Sequence, residues 1–121
     1  MRALERSLGP VDVARERGEL YQESGNGLVD NLFSLKVRNM SQRSDSFVIS
    51  VQGLDAAVML GQLHLDLDAG EIRTVPMRVQ AQRETLPGSN VRIVFRVEST
   101  RDSQVYAEQE SRFLGPSATL R

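Results

Sequence analysis

The sequence has no cysteine in its 121 residues. Disulfides, cysteine nucleophiles, thiolate metal sites and iron–sulfur ligation are therefore excluded within this chain. The missing cysteine does not identify a compartment, because a cysteine-free domain is compatible with both oxidising and reducing surroundings. The fold must instead be stabilised by the burial of apolar side chains.

The chain also lacks an excess of charge and a long apolar segment. It has 15 Lys and Arg against 16 Asp and Glu, a formal net charge of -1, whereas nucleic-acid binding favours a basic face and lipid docking a polybasic cluster. The longest apolar run, AAVML at 56–60, is far shorter than the roughly 20 residues that span a bilayer. We therefore expect a soluble domain that does not bind nucleic acid.

Histidine is equally scarce, since His64 is the only one. A single histidine leaves no credible serine–histidine–acid set. His64, Asp66 and Asp68 share one face of a predicted strand, which makes a metal site conceivable. However, alternate side chains on a flat strand stand roughly 7 Å apart and do not converge on one ion. We interpret this set as a solvated strand face.

Methionine is the other candidate for metal binding, because a soft thioether set could hold copper. Met77 falls at a predicted core position, and Met1 is an initiator or an added residue. A copper-binding domain using Met59, His64 or the loop at Met40 stays open as an alternative. The favoured prediction has no metal, cofactor-binding or catalytic residue in this chain.

Two further motifs have simple explanations. The first comprises Glu108, Glu110 and Arg112, which share one strand face and indicate a solvent-facing ladder of charges. A paired-carboxylate hydrolase would also need a cleft that a small sandwich does not readily offer. The second is Asn39-Met40-Ser41, which matches a glycosylation pattern but has meaning only in a eukaryotic secretory context.

An alternation of apolar and polar residues is what the sequence has in abundance. Its period of two predicts half-buried strands, and polar turns such as ETLPGSN at 84–90 separate them. Pro76 should confine its strand to a sheet edge or to an irregular start. About seven strands at this spacing predict an all-β antiparallel sandwich without a disulfide. The predicted inward positions are Val11, Val13, Phe33, Leu35, Val37, Phe47, Ile49, Val51, Leu63, Leu65, Leu67, Val75, Met77, Val79, Val91, Ile93, Phe95, Val97, Val105 and Ala107.

The ends of the chain are expected to lie outside this sandwich. We predict a linker or arm over 1–9, one domain over 10–116 and a tail over 117–121. Val48, Val94 and Tyr106 fall on otherwise polar strand faces, which makes them candidates for a contact surface.

Six segments together resemble a known family. They are VDVARERGELYQES at 11–24, GLVDNLFSLKVRN at 27–39, SVQGL at 50–54, AGE at 69–71, PMRV at 76–79 and ESRFLGP at 110–116. In order and spacing they resemble the C-terminal immunoglobulin-like domain of FixG-type proteins, which are bacterial cytochrome oxidase accessory proteins. The resemblance runs from about residue 10 to residue 116 and implies an immunoglobulin-like sandwich.

The resemblance also implies a longer, membrane-anchored parent protein. Such proteins carry transmembrane helices and a ferredoxin-like segment with two [4Fe-4S] clusters. They are associated with assembly of the cbb-type oxidase through copper reduction, and with nitrogen fixation. None of those ligand motifs matches a position of this chain, so no redox residue is carried over.

For this chain the resemblance leads us to expect an interaction or structural domain on the periplasmic side of a bacterial membrane. An oxidase subunit or a copper carrier would be its protein partner, and contact with the membrane would come only through the transmembrane part of the parent. A free-standing immunoglobulin-like module for adhesion or chaperone-like binding is a further alternative.

Overall fold

A computed structural model describes residues 10–23 and 26–116, which form an antiparallel β-sandwich. The strands are β1 (Val11–Glu23), β2 (Leu28–Asn39), β3 (Asp45–Gln52), β4 (Val58–Gly61), β5 (His64–Leu67), β6 (Ile72–Gln82), β7 (Asn90–Ser99) and β8 (Tyr106–Leu114). One sheet has the order β1-β2-β6-β4 and the other the order β5-β3-β7-β8. A short 3-10 helix, Arg83–Thr85, lies between β6 and β7. The predicted arm at 1–9 and tail at 117–121 lie outside the described residues.

The core lies between the two sheets and contains the alternating apolar residues of both. Phe33 of β2 and Phe95 of β7 meet at its centre, with ring centroids 5.0 Å apart in an edge-to-face arrangement, a favoured geometry for aromatic pairs. The predicted inward positions are buried, apart from four that are only partly covered: Val51, Leu63, Val91 and Val105. The predicted fold class is therefore confirmed.

The first strand contains an irregularity. β1 is one strand whose pairing with β2 shifts between Glu16 and Leu20. Four steps along β1 correspond there to two steps along β2, from Ser34 to Leu32. Such a bulge interrupts the period-two pattern without ending the strand. The sequence pattern therefore breaks where the backbone pairing continues.

The prediction for Pro76 was wrong, because β6 lies inside its sheet, between β2 and β4. Pro76 pairs with Ser34 on the β2 side, while β4 ends at Gly61, the partner of Met77. The neighbouring strand thus stops before reaching Pro76, and the missing N–H faces no ladder there. Gly61 has φ +144, and a Cβ at this position would lie 3.0 Å from the Pro76 carbonyl oxygen.

Two buried asparagines on the inner face of β2 connect the sheets. Asn31 forms a two-way bridge with the backbone of Leu114 in β8: its Nδ2 donates to the carbonyl oxygen, and its Oδ1 accepts from the amide N–H, both at 2.8 Å. The Asn31 side chain thus forms the pair of hydrogen bonds with Leu114 that the backbone of a neighbouring strand would form, and it links the two sheets. Burial of its amide is favourable because both polar atoms are satisfied.

Asn39 does the same at the opposite end of β2. Its Nδ2 lies 2.9, 3.1 and 3.2 Å from the carbonyl oxygens of Arg43, Leu67 and Asp68, and its Oδ1 accepts from Ser41. Asn39 is 0% exposed. The asparagine of the glycosylation pattern is therefore a structural residue whose amide nitrogen is committed to the interior.

Candidate interaction surfaces

The predicted metal candidates around His64 remain on an exposed strand face. His64 Nε2 lies 3.2 Å from Asp66 Oδ1, which also accepts a hydrogen bond from Ser46 Oγ at 2.6 Å. The Ser46 hydrogen bond is the main cause that lowers the pKa of Asp66, with His64 adding to it. Among residues 10–23 and 26–116, no three His, Asp or Glu side chains converge as metal ligands.

The methionines are not brought together with His64. Met40 is exposed just after β2, Met59 packs against the core from β4, and Met77 is buried in β6. His64 lies on β5, in the other sheet. The side chains named for a copper site thus occupy separate places, and Met1 lies outside the described residues.

A cavity of about 680 Å³ is an open depression among loops at one end of the sandwich. Its titratable side chains are Arg83 and Glu84, both exposed, and Arg83 is held by Glu23 at 2.9 Å. The lining has no histidine or buried carboxylate that would serve in acid–base catalysis. The lining residues are Asn26, Gly27, Gln82, Arg83, Glu84, Leu86, Pro87, Gly88 and Pro116.

The outer surface of the second sheet, which we call the Arg96 face, carries a closed network of charges. Arg96 donates to Glu98 at 3.0 Å and to Glu108 at 2.9 Å. Its guanidinium carbon also lies 3.8 Å from the ring centroid of Tyr106, a cation–π contact. The face is formed by Val48, Ser50, Val94, Arg96, Glu98, Tyr106, Glu108 and Glu110.

The network on this face satisfies its own charges. Burial opposes the charge on Arg96, but the hydrogen bonds to Glu98 and Glu108 outweigh it and raise the pKa of Arg96. Two residues after Glu108 in β8, the Oε2 atom of Glu110 lies 3.1 Å from Arg92 Nε and 3.8 Å from Arg112 Nη2. The charged ladder predicted on β8 is therefore present, and the sequence pattern missed its partners on β7, which are Arg92, Arg96 and Glu98.

The three apolar residues singled out in the sequence as a candidate contact surface all lie on the Arg96 face. Val48 and Tyr106 flank Glu98 in one cross-strand row, and Val94 lies between Gln52 and Glu110 in another. Val48 and Tyr106 are each 42% exposed, and Val94 is half-buried. The Tyr106 ring packs on the Arg96 guanidinium, so this exposed aromatic side chain is also part of the charge network.

The outer surface of the first sheet, which we call the Arg78 face, is built differently. Arg78 of β6 lies between Leu32 of β2 and Leu60 of β4 in one cross-strand row. A shallow groove of about 390 Å³ beside it is lined by Leu32, Phe33, Leu60, Gly61, Pro76, Met77 and Arg78. Val58 and Leu60 are 50% and 40% exposed. Around Arg78, the outward residues of this face are Asp30, Leu32, Ser34, Val58, Leu60, Pro76, Arg78 and Gln80.

Arg78 forms no ion pair within the described part of the chain. The acidic residue of the next cross-strand row, Asp30, already accepts a hydrogen bond from Gln80 at 2.8 Å. Sequence reasoning missed this face. The available indication was Leu32, an apolar residue on the same side of its strand as Ser34, Lys36 and Arg38.

No helix within residues 10–23 and 26–116 is long and apolar enough to cross a bilayer. A search of curated proteins gave no match. Among solved structures, a FixG-related protein from Vibrio parahaemolyticus is 25% identical, with a TM-score of 0.80, over 88% of this chain and 97% of that one. A protein from Archaeoglobus fulgidus is 15% identical over 91% and 98% of the two chains, with a TM-score of 0.45.

A family model described as "IG-like fold at C-terminal of FixG, putative oxidoreductase" matches residues 2–116. The matched range covers nearly the whole sequence, including both asparagine bridges and both outer faces. The chain therefore belongs to the family of immunoglobulin-like domains found at the C-terminal end of FixG.

Proposed function

We propose that this chain is the non-catalytic, protein-binding domain of a membrane-anchored iron–sulfur protein that supports assembly of a cbb-type cytochrome oxidase. In this proposal the parent protein reduces copper for the oxidase, and the domain holds the parent against an oxidase subunit or a copper carrier. The proposal places the domain on the periplasmic side of the bacterial membrane and includes the association with nitrogen fixation.

The observation that carries the proposal is family membership in a chain without redox ligands. The family description names an oxidoreductase, yet this chain has no cysteine. Iron–sulfur clusters are held by cysteine thiolates, so the residues of this chain do not fit such a cluster. Electron transfer would belong to other parts of the parent, and recognition is the role that a sandwich with exposed faces supports.

The proposal is tested by removing the domain from the full-length parent. In a bacterium that makes a cbb-type oxidase, codons 10–116 would be deleted from the parent gene, and oxidase would be measured in membranes by haem staining and oxygen consumption. We expect the parent to keep its iron–sulfur electron paramagnetic resonance signal while oxidase falls severalfold. An immunoblot would verify that the truncated parent reaches the membrane at its normal level.

Two results would contradict the proposal. Unchanged oxidase would show that the domain has no role in assembly. Loss of the iron–sulfur signal at normal parent abundance would show that the domain maintains the redox part rather than binding a partner.

A further inference from the structure

Within the described residues Arg78 has no ion pair, and the side chains directly opposite it on both neighbouring strands are apolar. Leu32 and Leu60 flank it across the strands, and Pro76 lies two residues away on the same outward side. Side chains of this kind exclude water when a partner covers them, which strengthens any charge pair formed there. A guanidinium also binds a carboxylate through two parallel hydrogen bonds. The arrangement favours an acidic group over a neutral one.

The free edge of β4 lies beside this arginine. In the described sheet β4 pairs only with β6, so its other side has no strand neighbour. Val58 and Leu60 project outward from this edge strand. Exposed edges of this kind can pair with an added extended segment, whose backbone supplies affinity while its side chains supply specificity.

We propose that the Arg78 face binds an extended segment of a partner protein that carries a carboxylate flanked by aliphatic side chains. The segment lies along β4, its carboxylate pairs with Arg78, and an aliphatic side chain enters the groove beside Leu60 and Pro76. This inference rests on the proposed protein-binding function and specifies the surface and chemistry of the partner.

Charge complementarity selects this occupant over a basic one. The described charged side chains that face outward from β1, β2 and β6 are Asp12, Asp30, Lys36, Arg38 and Arg78. Asp12 lies opposite Arg38 and Asp30 is engaged by Gln80, whereas Arg78 is the charged residue that lines the groove. The groove of about 390 Å³ is open, and it accommodates a side chain better than it encloses a small molecule. An acidic and aliphatic protein segment satisfies both the charge and the groove.

A phage-displayed library of random nine-residue peptides, selected on the immobilised 121-residue chain, tests this proposal. We expect the enriched peptides to place Asp or Glu beside Leu, Ile, Val or Phe. Synthetic versions would be titrated by fluorescence polarisation, with Arg78→Gln weakening binding about tenfold and Leu60→Ser about fivefold. Raised salt should also weaken binding, because it screens the attraction between the exposed Arg78 and the acidic peptide before the complex forms.

The matched control is Arg112→Gln, which removes an exposed strand arginine from the opposite sheet. It should leave peptide affinity within about twofold, because a rim charge far from the ligand has little effect. Urea unfolding would verify that each variant is folded. Leu60→Ser supplies the same test if Arg78→Gln does not fold.

Several outcomes would overturn the proposal. They include enriched peptides without an acidic residue, and affinities unchanged by both Arg78→Gln and Leu60→Ser. Self-association in sedimentation that Arg78→Gln abolishes would instead identify a second copy as the occupant. Binding to phosphatidylglycerol vesicles that Arg78→Gln abolishes, without peptide enrichment, would identify lipid.

Comparing Arg78→Gln with the domain deletion in the full-length parent distinguishes failure of this inference from failure of the proposed function. The inference expects Arg78→Gln in the full-length parent to reduce oxidase toward the level of the domain deletion. If the deletion lowers oxidase and Arg78→Gln does not, domain-mediated assembly stands and the Arg78 face is not its docking surface.

Discussion

Two arginines occupy similar places on the outer surfaces of the two sheets, yet their surroundings are opposite. Arg96 is bound by Glu98 and Glu108 and covered by Tyr106. Arg78 lies between Leu32 and Leu60 and has no ion pair within the described residues. A face that satisfies its own charges offers little to a partner. A face with an unmatched charge among apolar side chains gains from one.

The difference also separates stability from recognition. The Arg96 side chain is 22% exposed, and hydrogen bonds to charged groups at such partly covered positions contribute more than exposed ion pairs do. Arg78 makes no comparable ion pair within residues 10–23 and 26–116. We therefore expect substitutions on the two faces to affect different measurements.

We expect the largest loss of stability from a substitution of Asn39, a buried residue that lies on neither outer face and connects the two sheets. Asn39→Ala leaves the buried carbonyl oxygen of Leu67 and the partly buried one of Asp68 without their donor, and we expect the free energy of unfolding in urea to fall by about 2–4 kcal/mol. A loss below about 1 kcal/mol would show that the sheets are held together mainly by apolar packing.

The two arginines can be compared directly by the same substitution. Arg96→Met leaves Glu98 and Glu108 without their shared donor and should lower the free energy of unfolding by about 1–3 kcal/mol. Arg78→Met should change it by less than about 0.5 kcal/mol, as for ordinary surface positions. Urea denaturation of both variants checks this. Equal losses would remove the distinction between the faces.

Removing the aromatic cover should have a smaller effect on the Arg96 face. Tyr106→Leu keeps an apolar side chain but eliminates the cation–π contact with Arg96. We expect a loss of about 0.5–1 kcal/mol in the free energy of unfolding. In the Arg96→Met background the same substitution should have almost no further effect, and full additivity would contradict the contact.

A third arginine, Arg73, pairs with Glu71, and we expect this pair to make the smallest contribution to stability and one that depends on pH. Its hydrogen bond to Glu71 at 2.7 Å is the main cause that lowers the pKa of Glu71, and the Asp68 backbone N–H adds to it. A lowered folded-state pKa gives stability that is present above the unfolded-state value and lost as pH falls through the folded-state value.

Glu71→Gln should therefore lower the urea midpoint at neutral pH, and the difference should shrink as pH falls below the ordinary glutamate value of about 4.3. A matched titration of Glu110→Gln, on the Arg96 face, serves as the control. A Glu71→Gln difference that stayed constant or grew toward acid pH would contradict this assignment.

The sequence predicted the core well because burial on one side of a strand leaves a period of two. The pattern at Phe33, Leu35 and Val37 required no knowledge of pairing partners. The charge ladder of Glu108, Glu110 and Arg112 was predictable for the same reason. Arg96 was missed because its bond to Glu108 depends on the alignment of β7 with β8, which the alternation within one strand does not determine.

Other features could not be predicted from the alternation, because the sequence does not show which polar residues are buried. Asn31 reads as an interruption of the apolar alternation, yet it is buried and bound to Leu114. The bulge in β1 shifts the register without a clear break in composition. The Arg78 face forms only when Leu60 of a four-residue strand is placed beside Arg78.

Chemical-shift mapping of the selected acidic peptide on the 121-residue chain, by two-dimensional ¹H–¹⁵N NMR, is the most direct test of the contrast between the faces. We expect the largest amide perturbations in β4 and at 76–79, with line broadening or shifts at Leu32, and little change at 94–98 or 106–110. Perturbations centred on Arg96 and Tyr106 instead would contradict the assignment of the Arg78 face as the docking surface.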